Sequence, residues 1–154
     1  MLRHALICFT CALLAFAQLT LVHAEIQDCG SVAGELKEIK VSGCDGMPVC
    51  QLVRGSNASI DINFVAKKSI TGVKAVVHGI ILDVPMPFPL QNADACADPA
   101  SEIHCPLAQG TDYMYHAALP ILKNYPKMSL KVKWELRDEA DQNIVCILIP
   151  AKIV

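Results

Sequence analysis

The stretch "LKVKWELR", residues 130 to 137, has the clearest secondary-structure pattern in this chain of 154 residues. Its apolar residues, Trp134 among them, alternate with charged residues, and a period of two predicts a strand with one face buried and one in water. "SIDINF", residues 59 to 64, alternates in the same way. A sheet with one apolar face has to cover that face with another layer, so these strands predict packed sheets.

Turn signals separate the remaining strand-like stretches, and no stretch has a convincing helical period. "SGCDGMP", "VRGSN" and "RDEADQN" are rich in residues that favour turns. Further strands are predicted around Ile39 and Val41, over residues 73–84 and over residues 144–154. Strands at this spacing without intervening helices predict an all-β fold, an immunoglobulin-like antiparallel β-sandwich of two sheets.

Prolines interrupt a hydrophobic run in "GIILDVPMPFPL", residues 79 to 90. Proline donates no backbone hydrogen bond, so this segment fits neither a helix nor the middle of a sheet. The preceding residues 73–84 are apolar on both faces, which predicts a strand that is covered on both sides or bends at Gly79. "ALPILKNYP", residues 118 to 126, repeats the combination of prolines and large apolar residues.

Two interpretations of these proline-rich segments remain open. They are edge strands in which proline prevents edge-to-edge pairing, or they form the rim of a space between two splayed sheets. In the second interpretation four residues form an apolar mouth that suits a flexible or flat hydrophobic ligand. These residues are Met86, Phe88, Ile121 and Tyr125.

The first 24 residues predict a signal peptide. Arg3 precedes an apolar run, and "VHA" ends at Ala24 with the small residue that a signal peptidase requires. The remaining residues, 25–154, suffice for one domain with a core. We therefore expect a secreted, extracellular protein, and the lysosomal lumen is a second location. The net charge of −2, without a basic stripe, argues against nucleic acid as a partner.

Six cysteines follow the predicted signal peptide, and an even number in a secreted chain predicts a disulfide framework. The pairs Cys44/Cys50 and Cys96/Cys105 each bracket a short loop, which leaves Cys29 and Cys146 near the two ends of the domain. "NAS" at Asn57 is a sequon for N-glycosylation, which we expect to be used in a secreted protein.

The sequence offers no catalytic constellation. It lacks the common nucleophile, phosphate-binding and metal-ligand motifs, and its cysteines are assigned to disulfides. The acidic run "RDEAD", residues 137 to 141, lies between two predicted strands and is typical of a solvated hairpin turn. We expect no enzyme activity, no metal and no cofactor.

Several motifs occur in a fixed order over nearly the whole predicted domain: "DCGS", "KEIKVSGC", "PVCQLVRG", "KAVVHGI", "VPMPFP", "CPL", "LPILKNYP" and "WELRDE". In these motifs the chain resembles the Niemann-Pick type C-2 sterol-carrier family, whose members have an MD-2-related lipid-recognition domain. The resemblance implies that residues 25–154 form such a domain, with a hydrophobic ligand cavity between the sheets.

The resemblance also implies disulfide pairings and roles for individual residues. The implied disulfides are Cys29–Cys146, Cys44–Cys50 and Cys96–Cys105, in agreement with the loop spacing. The implied ligand-binding residues are Phe88, Ile121 and Tyr125 at the entrance and Val41, Leu82, Met86 and Trp134 in the wall. Ile147 stands where vertebrate members carry a large aromatic residue, which implies a reshaped cavity.

The resemblance implies a non-catalytic carrier, a monomer that binds a sterol, a fatty acid or a semiochemical and hands it to a membrane surface or a membrane receptor. The alternative is a secreted interaction module that recognises a receptor, with its interior filled by its own side chains. In the related endotoxin co-receptors, basic residues at the mouth hold phosphates, and here Lys123 and Lys127 flank Tyr125.

Overall fold

The structure, a computed structural model, describes residues 24–154, so the predicted signal peptide lies outside the described residues except for Ala24. Within this part of the chain no helix is long and apolar enough to cross a membrane. The described strands are β1 Gln27–Asp28, β2 Gly34–Val41, β3 Cys50–Leu52, β4 Asn57–Ala66, β5 Lys74–Ile81, β6 Val84–Phe88, β7 Asp112–Pro120, β8 Ser129–Arg137 and β9 Asn143–Ile153.

These strands form two sheets, and the predicted all-β fold class is confirmed. The larger sheet has the order β1-β9-β8-β5-β6, with β3 also pairing with β9, and the smaller sheet has the order β2-β4-β7. Neighbouring strands are antiparallel except β3 and β9, which are parallel. In the described part of the chain the only helical element is a short 3₁₀ turn, Pro99–Ser101.

The two sheets pack through the alternating apolar residues that the sequence singled out. Ile62 and Phe64 of β4 and Leu136 of β8 are fully buried, and Trp134 is 3% exposed. The ring of Trp134 on the larger sheet lies 6.1 Å, centroid to centroid, from that of Tyr115 on the smaller sheet. The apolar faces therefore meet between the sheets, and the charged residues of β8 point outward.

The interior is closed at one end of the sandwich and less covered at the other. At the closed end, Ile70 and Leu107 are fully buried and their backbones hydrogen-bond to each other. The connection that carries Leu107 is fastened by the Cys96–Cys105 disulfide. Towards the opposite end the inward-facing residues, such as Val41 and Val132, are only half-buried.

Disulfides are present in the three predicted pairings. Cys29–Cys146 joins residues 117 positions apart, whereas the other two close loops of 6 and 9 positions. Cys29–Cys146 holds the segment after β1 against β9, where the Cys29 amide also donates a hydrogen bond to the Cys146 carbonyl at 2.8 Å. The beginning of the described chain is thus fixed to the last strand.

The chain does not bend at Gly79. Strand β5 continues through Gly79 to Ile81, and the chain reverses in a two-residue turn at Leu82 and Asp83, whose φ angles are 49° and 64°. Leucine and aspartate seldom adopt positive φ, and the turn lacks the Asn-Gly or Asp-Gly signal typical of such hairpins. Leu82 is 93% exposed at the tip, so the structure does not place it in the wall predicted for it.

Strand β6 is the edge of the larger sheet, and its prolines are compatible with that position. Next to a two-residue turn the facing residues form a hydrogen-bonded pair, and such pairs recur at every second residue. Val84, Met86 and Phe88 occupy these positions opposite β5. Pro85 and Pro87 lie between them, so their nitrogen atoms face away from β5. The prolines interrupt no ladder bond and leave an edge that another strand cannot readily join.

The hairpin turn between β8 and β9 contains a buried carboxylate, in contrast to the fully solvated turn that the sequence predicted. Asp138 is 5% exposed, accepts hydrogen bonds from the Ala140 and Gln142 amides and forms an ion pair of 2.6 Å with Lys68. Burial raises the pKa of Asp138, but the Lys68 ammonium and the two amides outweigh it, so the net effect is a lowered pKa.

We predict that Asp138 makes the protein less stable in acid. Because its pKa in the folded state lies below the ordinary value of 3.8, its stabilisation is complete above that value and is lost as the pH falls through the folded-state pKa. Asp138→Asn should lower the free energy of unfolding at pH 7 by about 1–3 kcal/mol and weaken its dependence on pH below 4. Urea unfolding at several pH values measures both effects.

The matched control for this prediction is Asp141→Asn in the same turn. Asp141 is exposed and pairs only with Arg137, at 3.1 Å, so its loss should cost less than about 1 kcal/mol. Equal effects of the two substitutions would contradict the role assigned to the buried carboxylate.

Candidate functional site

An aromatic pair lies at the edge of the sandwich where the interior is least covered. Phe88 is the last residue of β6, and Tyr125 lies in the segment that links β7 to β8, residues 121–128. The two rings meet edge to face, with centroids 6.5 Å apart and an interplanar angle of 82°. This arrangement is favourable because the positive edge of one ring faces the negative face of the other. The pair connects an edge of the larger sheet to a loop that leaves the smaller one.

One row of inward-facing residues leads from this pair into the interior of the larger sheet. Phe88 lies opposite Val77, Val77 opposite Trp134, and Trp134 opposite Ile147. Directly opposed residues of antiparallel strands point to the same face of the sheet. The structure therefore brings together three of the predicted site residues, and Val77, which the sequence did not single out, connects them.

The smaller sheet supplies the facing wall. Ile39, Ile62 and Tyr115 form one row across its strands, and this row faces Trp134. Val41 belongs to the next row towards the less covered end, where it lies opposite Ile60. The predicted wall residue Val41 is thus beside the interior but nearer the mouth than Trp134.

The space between the sheets is closed at the depth of Trp134. Trp134 and Tyr115 are each 3% exposed, and Ile62 and Ile147 are fully buried, so the protein's own side chains occupy this level. Two hollows of about 230 Å³ lie instead on the outward faces, one on each sheet. At this level the expected cavity is not open, so a ligand that reaches Trp134 has to move the sheets or their side chains apart.

The loop that carries Ile121 and Tyr125 is tied to the segment before β4. The Ile121 amide donates to the Ser56 carbonyl at 2.8 Å, and the Gly55 amide donates to the Ile121 carbonyl at 2.5 Å. The guanidinium of Arg54 donates to the carbonyl of Tyr125 at 3.3 Å. Arg54 therefore positions the loop, a role that the sequence gave no means to predict, because the two residues are 71 positions apart.

The remaining predicted residues lie at the rim or outside the site. Met86 is on the same side of β6 as Phe88 but is 52% exposed, which places it at the rim rather than in the wall. Ile121, the first residue of the mouth loop (residues 121–128), is buried. Asn57 is exposed at the start of β4, where its side chain is accessible.

Two contacts between a histidine and a carboxylate lie on the outward faces of the sheets. His116 contacts Asp61 at 2.5 Å on the outward face of the smaller sheet. His78 lies 3.9 Å from Glu135 on the outward face of the larger sheet. Among the described residues no group of three or more histidine, cysteine, aspartate or glutamate side chains is arranged to hold a metal ion.

The geometry defines a class of protein: a disulfide-linked two-sheet sandwich with an apolar interior and an aromatic pair at one edge. Residues 23–153 match the ML domain family, and the chain belongs to this family.

Several relatives are similar over most of their length. The chain is 45% identical to NPC intracellular cholesterol transporter 2 homolog a of Drosophila melanogaster, over 99% of both chains. It is 38% identical to NPC intracellular cholesterol transporter 2 of Bos taurus, over 84% of each. A crystal structure of a Niemann-Pick type C2 protein from Japanese carpenter ant matches with a TM-score of 0.81 and 36% identity, covering 84% of this chain and 98% of that one.

We predict that Arg54→Gln loosens the mouth loop without unfolding the domain. The substitution removes the charged donor to the Tyr125 carbonyl, so the Ile121 and Tyr125 amides should exchange with solvent roughly tenfold faster, as local opening costs less free energy. Hydrogen exchange followed by NMR measures this change. Lys127→Gln removes one positive charge from the mouth loop itself and serves as the control; exchange accelerated equally in both variants would contradict the assigned role.

Proposed function

We propose that the protein is a non-catalytic carrier that holds a hydrophobic ligand, a sterol or a fatty acid, between its two sheets and hands it on. The observation that carries the proposal is the continuous apolar row from Phe88 to Ile147, which begins beneath the mouth and ends in the core. The names of the relatives from fly and cattle, both cholesterol transporters, support it.

Ligand uptake requires the closed interior to open, and the edge strand lowers the free-energy cost of this opening. Strand β6 pairs only with β5, so it can move with the mouth without breaking a second ladder. The ligand offsets the cost of opening by burying apolar surface, which contributes about 25 cal/mol per Å². A long or flat hydrocarbon that fills the row meets this requirement, and its binding needs no charged group.

Release is proposed to occur at the mouth, against a membrane surface or a membrane receptor. Apolar side chains are exposed around the mouth and on the adjoining hairpin tip, an arrangement that favours contact with an apolar partner. These residues are Leu82, Val84, Met86 and Leu122. A sterol or fatty acid that dissociates there avoids crossing water.

The proposed carrier is a secreted monomer that acts outside the cell or in the lysosomal lumen. Its disulfides persist in oxidising compartments. The exposed position of Asn57 is compatible with a glycan.

A second candidate function is an interaction module that recognises a receptor, and one observation favours it. The interior is filled at the level of Trp134 and Tyr115, as in a domain that carries no ligand. A semiochemical carrier remains within the first proposal, because it differs only in the ligand.

Native mass spectrometry of the purified secreted protein, followed by organic extraction, tests the proposal. We expect a mass increase that matches one bound sterol or fatty acid, recovered in the extract. A protein that stays empty and takes up neither dehydroergosterol nor a fluorescent fatty acid would favour the interaction module.

Substitutions at the mouth should weaken binding more than folding. Phe88→Ala and Tyr125→Ala each remove apolar contact from a half-buried position, so we expect roughly tenfold weaker binding of dehydroergosterol. The free energy of unfolding should fall by less than the 3–5 kcal/mol typical of a large aromatic residue deleted from a core. A heavy loss of stability in both variants, with unchanged affinity, would contradict a binding role for the mouth.

A further inference from the structure

The indole N–H of Trp134 is a buried donor without an acceptor. Trp134 is 3% exposed, and its Nε1 makes no hydrogen bond to any described residue. Indole nitrogen can only donate, so it cannot be satisfied by another donor. Most buried polar groups in native proteins are paired, and an exception at a candidate ligand site indicates a partner that comes from outside the chain.

This donor is distinguished by its position. Trp134 is in the middle of the inward-facing row, between Val77 and Ile147, and faces the smaller sheet. The other described side-chain atoms that are buried without a hydrogen bond lie on outward-facing strand positions or in a connecting segment: Arg54 Nε, Asn63 Oδ1, His78 Nδ1 and Arg137 Nε.

The ring of Tyr115, which carries a second polar group, its hydroxyl, faces Trp134 from the smaller sheet. Burial raises the pKa of Tyr115, and the nearby indole N–H of Trp134 lowers it in part. The two rings lie 6.1 Å apart, centroid to centroid, and the indole N–H does not donate to the hydroxyl with hydrogen-bond geometry. A protonated tyrosine hydroxyl can both donate and accept, so the pair can hold an oxygen atom from two sides.

We propose that Trp134 Nε1 and the Tyr115 hydroxyl bind a neutral oxygen atom on the end of the ligand that enters deepest. The inference rests on the proposed carrier function and names the ligand class: a hydrophobic molecule with a hydroxyl or carbonyl group at its inner end. A carboxylate does not suit this place, because a buried anion needs a cation beside it. Lys133 and Arg137, the cations of β8 nearest in sequence, alternate with Trp134 and point outward to Glu135.

Matched ligand pairs test this class. Palmitic acid is compared with 16-hydroxypalmitic acid, and cholesterol with 25-hydroxycholesterol, in competition experiments read by native mass spectrometry. Within each pair the two ligands share a polar end, which can remain at the mouth. They differ only by one oxygen atom at the far end of the molecule. We expect the wild-type protein to prefer at least one of the two hydroxylated ligands by roughly three- to tenfold, as one hydrogen bond predicts.

Trp134 is the only tryptophan of the chain, so its indole N–H gives a single signal in a ¹⁵N-edited NMR spectrum. With the preferred hydroxylated ligand the indole proton should move downfield and exchange more slowly than with the parent compound. This measurement uses the unaltered protein and does not depend on whether a variant folds. Trp134→Phe keeps an aromatic ring without the donor. In this variant the ratio of the affinities for the hydroxylated and the parent ligand should fall to about one.

The outcomes separate this inference from the function on which it rests. Equal binding within both pairs, with the same indole signal for parent and hydroxylated compounds, overturns the inference and leaves the carrier function intact. An indole proton that is already protected in the ligand-free protein and does not respond to the hydroxyl group overturns it as well. Failure of all four compounds to bind overturns both proposals.

Discussion

The contact between Trp134 and Tyr115 joins the two sheets at the depth where the interior closes. Each ring stands on a different sheet, and fully buried Ile62 and Ile147 lie in the same rows. This layer links folding and binding, because the apolar surface that holds the sheets together is also the surface that a ligand would contact. In the free protein the side chains of the two sheets cover this apolar surface by contacting each other. A bound ligand has to replace those contacts with at least as many contacts of its own.

The rest of the fold leaves only one end of the sandwich where a ligand can compete with the contacts between the sheets. The connection around Leu107 and the Cys96–Cys105 disulfide cover the opposite end, and Cys29–Cys146 fixes the beginning of the described chain to β9. At the mouth, by contrast, β6 is a short edge strand interrupted by prolines, and the facing loop is held chiefly by hydrogen bonds around Ile121 and Tyr125. Because β6 pairs only with β5, fewer strand pairs hold this edge than hold the middle of the sheet.

Sequence patterning was sufficient for the architecture because the inward residues alternate with polar ones. Trp134 and its neighbours on β8, and Ile62 on β4, could be assigned to the core from period alone. Phe88 and Tyr125 were predicted to lie at the mouth from the proline-rich segments and the family motifs. That these two rings touch could not be predicted from the sequence, because contacts between distant segments depend on the register of strands and loops.

What the sequence did not predict depends on tertiary contacts. The turn at Leu82 and Asp83 lacks glycine, so the hairpin gave no local signal and Leu82 was assigned to the wall. Val77 looked like any other residue of an apolar run until its register opposite Phe88 and Trp134 was known. Asp138 was read as solvated because its partner Lys68 lies far away in the chain. The unpaired indole N–H of Trp134 is likewise visible only when the surroundings of the ring are known.

The central claim, that a ligand occupies the space between the sheets, can be tested with the fluorescence of Trp134, the only tryptophan of the chain. The protein is titrated with a fatty acid brominated in mid-chain and with its unbrominated parent, and binding of both is verified by native mass spectrometry. Because bromine quenches on contact, the account predicts strong quenching by the brominated ligand, complete at one equivalent, and little by the parent. Binding of the brominated fatty acid without quenching would contradict the account.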